Sequence, residues 1–476
     1  MGNSKELHEF TLVELVTLIR MREVSPVEVT EHYLRRAEER NEQIGAFFTI
    51  AADRALDQAR AAEKELIAAV PTPGDRPLLG VPIPVKDLNL VADLPATMGS
   101  KVLQDFISPI DDYVAQSLRR AGAVIMGKTA TPEFGLPCYT ETAIAPPART
   151  PWDLSRSAGG SSGGAAAAVA AGLAPIAQGS DGGGSIRIPS SVCGLFGIKP
   201  TRGRISRGPV MPDLAGLSID GPIARTVADA TMLLDVMAGN QPGDIYTLPK
   251  PARPFSEDAH HNPPRLRIAR TLANPIEGAE VHPDCVAAYE DASALLDSLG
   301  HEVIDIPSPF DVATVPHFET LWYTMAALVP VPADQEDQLR PLTRYLRERG
   351  NKLTAIQLFG ALAALQSAMR TALAAISDYD AVLTPTLAQP PAPVGWFEEV
   401  DPETNFERQK AFTPYTAVYN VSGQPAVNVP LYWNAEDLPI GIMLAGQPGD
   451  ESTLIQLSAQ LEQARPWRDR HPAFWR

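Results

Sequence analysis

Two residue types that often mark an active site are scarce in this sequence. The chain has 476 residues but only eight histidines and three cysteines. Cys138, Cys193 and Cys285 lie so far apart that their spacing fits neither a disulfide framework nor a zinc site. There is no HExxH sequence and no cluster of histidines. We therefore expect reduced cysteines, no catalytic metal and no cofactor, as suits a cytoplasmic protein.

Positive charge and long apolar runs are also lacking. The formal net charge is −17, whereas a nucleic-acid-binding protein needs Lys and Arg to neutralise phosphates. The longest apolar run, 163–175, is too short and too rich in Ala and Gly to span a bilayer. The first ten residues contain no apolar signal segment. We expect a protein that binds a small molecule and neither nucleic acid nor membrane.

The first part of the chain, residues 1–70, is predicted to be helical. Thr11 with Glu14, and Ser25 with Glu28, have the spacing of a capping box, in which two side chains bond each other's backbone N–H. A third helix is predicted over 51–69, followed by the loop PTPGDRP. These signals place helices before the first strand.

Strands and helices then alternate. An apolar strand over 78–90 is interrupted by Lys86, a helix from Val114 leads into a short strand, and 266–307 reads strand, helix, strand. This alternation predicts an α/β fold with a mixed central sheet surrounded by helices. The Pro-rich polar stretch from 239 to about 265 is the best candidate for a boundary or a surface excursion.

Two Gly/Ser runs, SAGGSSGG (157–164) and SDGGGS (180–185), flank an Ala-rich helix. A flexible linker is the ordinary interpretation, but linkers do not usually lie between core elements. A phosphate-binding loop is a second interpretation, although neither GxxxxGK[ST] nor a suitably placed GxGxxG is present. A third is an oxyanion hole, because backbone N–H groups reach a negative oxygen only where side chains leave room.

Ser185 follows three glycines, so it could be a hydroxyl nucleophile beside such amides. All eight histidines lie outside the block between His32 and His260, although one could still fold in from elsewhere. A lysine with a lowered pKa can serve as the base instead. Lys86 is the candidate, because it is the lone cation in its apolar strand; a solvated lysine at a strand edge is the alternative.

Several ordered motifs resemble those of the amidase signature family, and together they cover nearly the whole chain. They are GVPIPVKD (80–87), GAVIMGKTATPEFG (122–135), SAGGSSGG (157–164), GSDGGGSIRIP (179–189), CGLFGIKPTRGR (193–204), GPIARTVADA (221–230), NVSGQPAVNVPL (420–431) and LPIGIMLAG (438–446). The resemblance implies the amidase signature fold and hydrolysis of C–N bonds.

The resemblance also implies roles for individual residues. Lys86 matches the family's base, Ser161 its serine on a cis peptide, which relays the proton, and Ser185 its nucleophile. Gly182, Gly183 and Gly184 match the stretch that forms the family's oxyanion hole. The first residue of that stretch is usually Thr or Ile in the family. Residues expected to hold these loops are Ser162, Asp181 and Arg187.

A single domain over 1–476 is expected from the same resemblance. Its expected parts are the helical 1–70, a core at 78–235, a pocket-flanking helical region at about 308–410, and C-terminal strands and a helix at 412–467. The chain would act alone, as a monomer or homodimer.

The resemblance implies that the substrate is an amide or a carbamate (urethane), with hydrophobic or aryl groups expected. The chain resembles bacterial aryl acylamidases and amidases that act on nylon oligomers or urethanes. The pocket is expected to draw on 136–149, 205–219, 308–410 with Trp322 and Tyr323, and Phe412 and Tyr415. Ile188 stands where ammonia-generating glutamine amidotransferase subunits usually have Gln, which favours a free-standing amidase. Such a subunit, and a catalytically silent binding protein, are the alternatives.

Overall fold

The computed structural model describes residues 5–68, 74–211 and 215–476. Its described residues form fifteen α-helices: α1 (Leu12–Arg20), α2 (Pro26–Ile44), α3 (Ala52–Ala68), α4 (Tyr113–Arg120), α5 (Gly163–Ala170), α6 (Arg187–Cys193), α7 (Val227–Met237), α8 (Phe255–Asp258), α9 (Pro283–Ser298), α10 (Val315–Leu328), α11 (Pro341–Asn351), α12 (Ala355–Ala375), α13 (Pro402–Phe412), α14 (Val418–Ser422) and α15 (Glu451–Ala464).

Eleven strands in the same ranges form two sheets. They are β1 (Phe47–Ile50), β2 (Pro82–Lys86), β3 (Val124–Thr129), β4 (Ala177–Asp181), β5 (Phe196–Lys199), β6 (Ile219–Ala224), β7 (Arg267–Arg270), β8 (Glu302–Asp305), β9 (Ala381–Pro385), β10 (Ala426–Trp433) and β11 (Pro439–Gly446). The small sheet has the order β1-β3-β2 and the large one β4-β6-β5-β10-β11-β9-β7-β8. In the large sheet β7 pairs in parallel with β8 and β9, and the other pairs are antiparallel. The predicted mixed α/β fold is confirmed.

The helix starts predicted near the N-terminus are also confirmed. The Thr11 and Ser25 side chains accept the backbone N–H groups of Glu14 and Glu28, and each glutamate accepts in return. The third helix is α3, and residue 69 and the first part of the loop predicted over 71–77 lie outside the described residues.

Five strands were not predicted from the sequence: β1, β4, β5, β6 and β9. β1 interrupts the N-terminal helices and pairs with β3. β9 lies inside the region predicted to be mostly helical and joins β11 to β7 in the large sheet. Both are short, and a run of four or five apolar residues does not reveal a strand by periodicity.

One cluster of buried side chains extends from Leu12 to Trp467 and includes residues on both sides of 239–265. Within that stretch the buried Phe255 of α8 joins the same cluster. The stretch therefore runs over the surface of a shared core. The three cysteines are buried and free, as their spacing predicted.

One helix among the described residues, α12, is long and apolar enough by length and composition to cross a membrane. In its most apolar window 22% of the residues are buried. Its inner face packs on α10, where Leu365 joins a small cluster with Leu321.

Candidate active site

Lys86 is the last residue of β2, at the point where the small sheet meets the large one. Its strand runs parallel to β3, with Lys86 opposite Thr129. Its backbone N–H donates to Oε1 of Gln178 on β4, over 2.9 Å. Gln178 in turn donates to Asn89 and Asp220, so the position of Lys86 is fixed from both sheets.

The Lys86 side chain is fully buried and is surrounded by hydroxyl groups. Nζ lies 2.8 Å from Oγ of Ser161, 2.8 Å from Oγ of Ser162 and 3.1 Å from Oγ of Ser180. The Ser180 carbonyl is 3.3 Å away. No carboxylate contacts this amine among the described residues. Ser162 therefore touches the lysine directly, and Ser180 is a neighbour that the sequence did not single out.

Burial lowers the pKa of Lys86 to about 7, because a charged amine loses its hydration inside the protein. The carboxylates of Asp220 and Asp181 oppose this shift, and the nearby Arg207 adds to it. At neutral pH a large fraction of the amine is therefore uncharged and able to accept a proton.

Ser161 and Ser185 lie on two loops that meet beside this lysine. The Gly160–Ser161 peptide bond is cis. The backbone N–H of Ser162 donates to the Ser185 carbonyl over 3.2 Å, which joins the two loops. No hydrogen bond connects the Ser161 and Ser185 hydroxyls in the ranges that the structure describes. Such bonds often tighten only when substrate is bound.

The loop that carries Ser185 is held by a buried carboxylate. Asp181 accepts the backbone N–H groups of Gly184 (2.8 Å) and Ile186 (3.1 Å) and forms an ion pair with Arg187. Burial by itself would raise the pKa of Asp181, but Arg187, Lys199 and a hydrogen bond from Asn420 hold it below its usual range. The predicted loop-holding residues Asp181 and Arg187 thus lie together.

Two further residues that hold this loop come from the C-terminal part of the chain. Asn420 donates to the Asp181 side chain over 2.8 Å and accepts from Arg187 over 2.7 Å. Thr416 donates to the Gly183 carbonyl over 2.6 Å. Asn420 begins a motif visible in the sequence, whereas nothing marked Thr416.

The three glycines before Ser185 differ in what their amides do. The amide of Gly184 is bound to Asp181, so it is not free to donate to a substrate oxygen. Its φ of +132° and a would-be Cβ 2.5 Å from Thr416 make glycine necessary there. The amides of Gly182 and Gly183 donate to no acceptor in the part of the chain that the structure describes.

Gly182 occupies the position where Thr or Ile is usual in the family. A Cβ atom there would lie 2.8 Å from Oγ of Ser218 and 3.9 Å from the Trp322 ring. The absence of a side chain thus leaves room for both neighbours.

Ser185 opens into a cavity with mostly apolar walls. Its walls come from the segment before Cys138, from α10 and α12, and from 406–421. The lining side chains are mostly aliphatic or aromatic and include Leu136, Ile188, Ile276, Val315, Phe318, Trp322, Leu365, Met369, Phe406 and Val418. Phe318 and Trp322 stack on each other with ring centroids 5.4 Å apart.

The pocket predictions are confirmed in part. Segment 136–138 and nine residues of the 308–410 region, Trp322 among them, line the cavity, whereas 139–149 do not. None of the described residues of 205–219 lines it, and 212–214 lie outside the described ranges.

Three aromatic residues predicted for the pocket lie elsewhere. Tyr323 packs against Phe406 and Phe412 against Phe397, while the Tyr415 hydroxyl donates to the Leu272 carbonyl. These rings pack in or against clusters of buried side chains, a role that their sequence positions do not distinguish from substrate contact.

Among the described residues, one group of side chains brings together donor atoms of the kind that bind metal ions. Those of Glu6, His8 and His32 lie within 4.8 Å of one another. However, Arg35 lies 3.5 Å from Nδ1 of His32 and can only donate, so the proton of a neutral His32 is on Nε2, the atom facing His8. The arrangement is that of a hydrogen-bonded histidine pair and disfavours a metal.

Comparisons with known proteins agree with this geometry. A model of the amidase family matches residues 28–455. The 6-aminohexanoate-cyclic-dimer hydrolase of Paenarthrobacter ureafaciens is 34% identical, over 96% of this chain and 94% of its own. An acylamidase of Rhodococcus erythropolis is 33% identical, over 98% of each chain.

Solved structures show the same similarity. A 6-aminohexanoate cyclic dimer hydrolase in complex with its substrate aligns with a TM-score of 0.91 and 31% identity, over 98% of this chain and all of the other. A bacterial aryl acylamidase aligns with a TM-score of 0.87 and 25% identity, over 97% of each chain. The chain therefore belongs to the amidase signature family and is a hydrolase that acts on amides.

Proposed function

We propose that this amidase cleaves amides and carbamates with hydrophobic or aryl acyl groups, through an acyl-enzyme on Ser185, with Lys86 as the base and Ser161 as the proton relay. The observation that carries the proposal is the buried Lys86 amine, 2.8 Å from Ser161 and without a carboxylate contact in the described ranges, beneath a serine that opens into an apolar cavity.

The first step is proton transfer along this chain of groups. Uncharged Lys86 accepts the proton of the Ser161 hydroxyl, while Ser161 accepts the proton of Ser185. The Ser185 oxygen then attacks the carbonyl carbon of the substrate and forms a tetrahedral intermediate. Ser162 and Ser180 hold the amine in place, since their hydroxyls also contact Nζ.

The intermediate carries a negative oxygen, which the free amides of Gly182 and Gly183 are suited to receive. Gly184 holds the loop through Asp181. Protonated Lys86 returns its proton through Ser161 to the leaving nitrogen, and the C–N bond breaks as the amine departs. Water, deprotonated by the same relay, hydrolyses the Ser185 ester. A carbamate carbonyl passes through the same kind of intermediate, so the same groups serve urethanes.

The substrate class follows from the cavity. The aliphatic and aromatic lining of the cavity suits an alkyl chain or an aromatic ring. The stacked Phe318 and Trp322 provide a flat wall next to Gly183. Similarity to an aryl acylamidase and to a cyclic-dimer hydrolase supports both kinds of acyl group.

Glutamine, the substrate of the amidotransferase alternative, fits this cavity poorly. Free glutamine carries a carboxylate and an ammonium group, and each needs a charged or polar partner. Ile188 lines the cavity close to Ser185 with an apolar side chain. The alternative is therefore not favoured.

A hydrolysis screen of the purified chain tests the proposal. The substrates are acyl anilides, aliphatic amides, aryl carbamates and glutamine, each with wild type and with Ser185→Ala. We expect turnover of anilides and carbamates, none of glutamine, and none of any substrate by the variant. In wild type, mass spectrometry after quenching should find the acyl group on Ser185. Glutaminase activity, or acylation of another residue, would overturn the proposal.

A further inference from the structure

Among the described residues that line the cavity, Lys410 is the one with a charged side chain. It lies near the end of α13, one residue after Gln409. The polar ends of Gln409 are already bonded, to the Cys138 amide and to Asn405. Any charge that the cavity presents to a substrate therefore depends on Lys410 and its immediate neighbours.

Two carboxylates surround the Lys410 amine. Nζ forms an ion pair with Glu319 of α10 and another, over 2.6 Å, with Glu407. The Lys410 and Glu319 side chains are 17% and 19% exposed, whereas Glu407 is 59% exposed. These ion pairs raise the pKa of Lys410 against the opposing effect of burial. The group has one formal positive charge and two formal negative charges.

We infer that Lys410, Glu319 and Glu407 form a charge filter, which makes the cavity reject acyl groups that end in a carboxylate. The group has a net charge of −1, and its only cation is already paired. A carboxylate that enters the cavity would leave water without gaining a free cation, whereas a neutral group loses nothing. A terminal ammonium would be attracted by the excess carboxylate.

This inference rests on the proposed function, because it assigns the cavity to the acyl group. Glu319 lies outside the cavity lining and acts through its ion pair with Lys410. It has the larger effect of the two carboxylates, since it is less exposed than Glu407 and its charge is less screened by water. A purely structural role is the competing explanation, because the Lys410–Glu319 pair also joins α13 to α10, two walls of the cavity. The two roles differ in what a charge change does to selectivity.

The experiment uses three 4-nitroanilides of similar length: hexanoyl, 6-aminohexanoyl and the monoanilide of adipic acid, which end in a methyl, an ammonium and a carboxylate. Wild type should show the highest kcat/KM with the hexanoyl substrate and at least about tenfold less with the carboxylate. Added salt should narrow this gap, because it screens the charges.

Two variants change the charge of the group in opposite directions. Glu319→Gln brings the net charge to zero, so the ratio of kcat/KM for carboxylate over ammonium substrates should rise about tenfold. Lys410→Met brings it to −2, and the same ratio should fall. A structural role would lower activity toward all three substrates and leave the ratio unchanged.

Glu403→Gln is the matched control. Glu403 lies on the same helix but pairs with Arg349, whereas Glu319 and Glu407 pair with the cavity-lining Lys410. Its substitution should leave the ratio unchanged. If Glu319→Gln fails to fold, Glu407→Gln removes the same charge at the more exposed position and should shift the ratio in the same direction.

The filter is overturned if wild type hydrolyses the carboxylate substrate as well as the hexanoyl one. It is also overturned if the folded Glu319→Gln and Lys410→Met variants move the ratio in the same direction or not at all. Loss of the proposed function would look different, because the neutral hexanoyl anilide would then not be hydrolysed and both proposals would fall.

Discussion

Two buried lysines, Lys86 and Lys128, lie on neighbouring strands of the small sheet and differ in their partners. Lys128 forms an ion pair with the buried Asp87 over 2.6 Å and also donates to the Asn89 carbonyl over 2.9 Å. Lys86 meets three hydroxyls and one carbonyl. Lys128 is thus part of a buried structural ion pair, whereas Lys86, with its lowered pKa and hydroxyl neighbours, can lose its proton.

Lys199 of β5 shows that a lowered pKa is not sufficient for a base. Burial also lowers its pKa to about 7. However, its Nζ donates to the carbonyl of Pro200, over 3.0 Å, and no serine hydroxyl in the described ranges contacts it. Of these three buried lysines, Lys86 alone combines a lowered pKa with a neighbouring hydroxyl that can relay a proton.

The largest expected effect is that of Ser185→Ala, which removes the proposed nucleophile. Turnover should fall to background, and labelling by a fluorophosphonate should disappear. Ser190→Ala is the matched control on α6, because the Ser190 hydroxyl is buried without a hydrogen-bond partner among the described residues. Near-normal turnover by Ser185→Ala would mean that the hydroxyls around Lys86 serve another purpose.

The second expected effect is a difference in kcat between variants of Lys86 and Lys199, two lysines of similar pKa. Lys86→Met should lower kcat by about 10³-fold or more, as should Ser161→Ala, and the two losses should not add because both groups move the same proton. Lys199→Met should keep kcat within about tenfold of wild type. Steady-state kinetics on a hexanoyl anilide would measure both, with circular dichroism to verify folding. Equal losses of kcat in Lys86→Met and Lys199→Met would mean that contact with a serine hydroxyl does not distinguish the base.

A third effect concerns stability. Lys128→Met leaves Asp87 buried and unpaired, so the free energy of unfolding should fall by about 3–5 kcal/mol. Lys86→Met leaves only neutral hydroxyls and should cost less. Urea denaturation at pH 7 would compare the two variants. If Lys128→Met were as stable as Lys86→Met, the ion pair with Asp87 would not distinguish the two sites.

The sequence predicted the elements around Lys86 better than the cavity above it. Capping boxes and Gly/Ser motifs act over a few residues, and each leaves a local signal, as at Thr11 or Gly184. Family motifs also placed Lys86, Ser161 and Ser185, which the fold brings to one region.

The cavity and the five unpredicted strands depended on long-range contacts. Thr416 meets the Gly183 carbonyl across more than 200 residues, and no local pattern announces that contact. Tyr323 and Trp322 are adjacent in α10, yet only Trp322 lines the cavity, because neighbouring helical residues point about 100° apart. The strand β9 was missed because five buried residues do not show a period.

The smallest expected effect, and the most direct test of Lys86, is the dependence of kcat/KM on pH. With a pKa of about 7, Lys86 is protonated at lower pH and cannot act as a base. The rate should therefore fall about tenfold per pH unit below 7 and reach a plateau on the alkaline side. This sloping part of the pH profile is its acidic limb. A lysine with its ordinary pKa of about 10.4 would place the limb at a far higher pH.

Other groups could produce a limb at the same pH, and variants separate them. Burial raises the pKa of Glu462 to about 7, and Lys199 titrates in the same range, so Glu462→Gln and Lys199→Met should both keep the limb. The same holds for separate substitution of each of the eight histidines.

Asp220→Asn removes a carboxylate that raises the pKa of Lys86, so the limb should move to lower pH. Arg207→Met removes a cation that lowers this pKa, so the limb should move to higher pH. Opposite shifts would tie the ionisation to Lys86, whereas a limb that stayed fixed in both variants, or vanished in Lys199→Met, would assign it to another group.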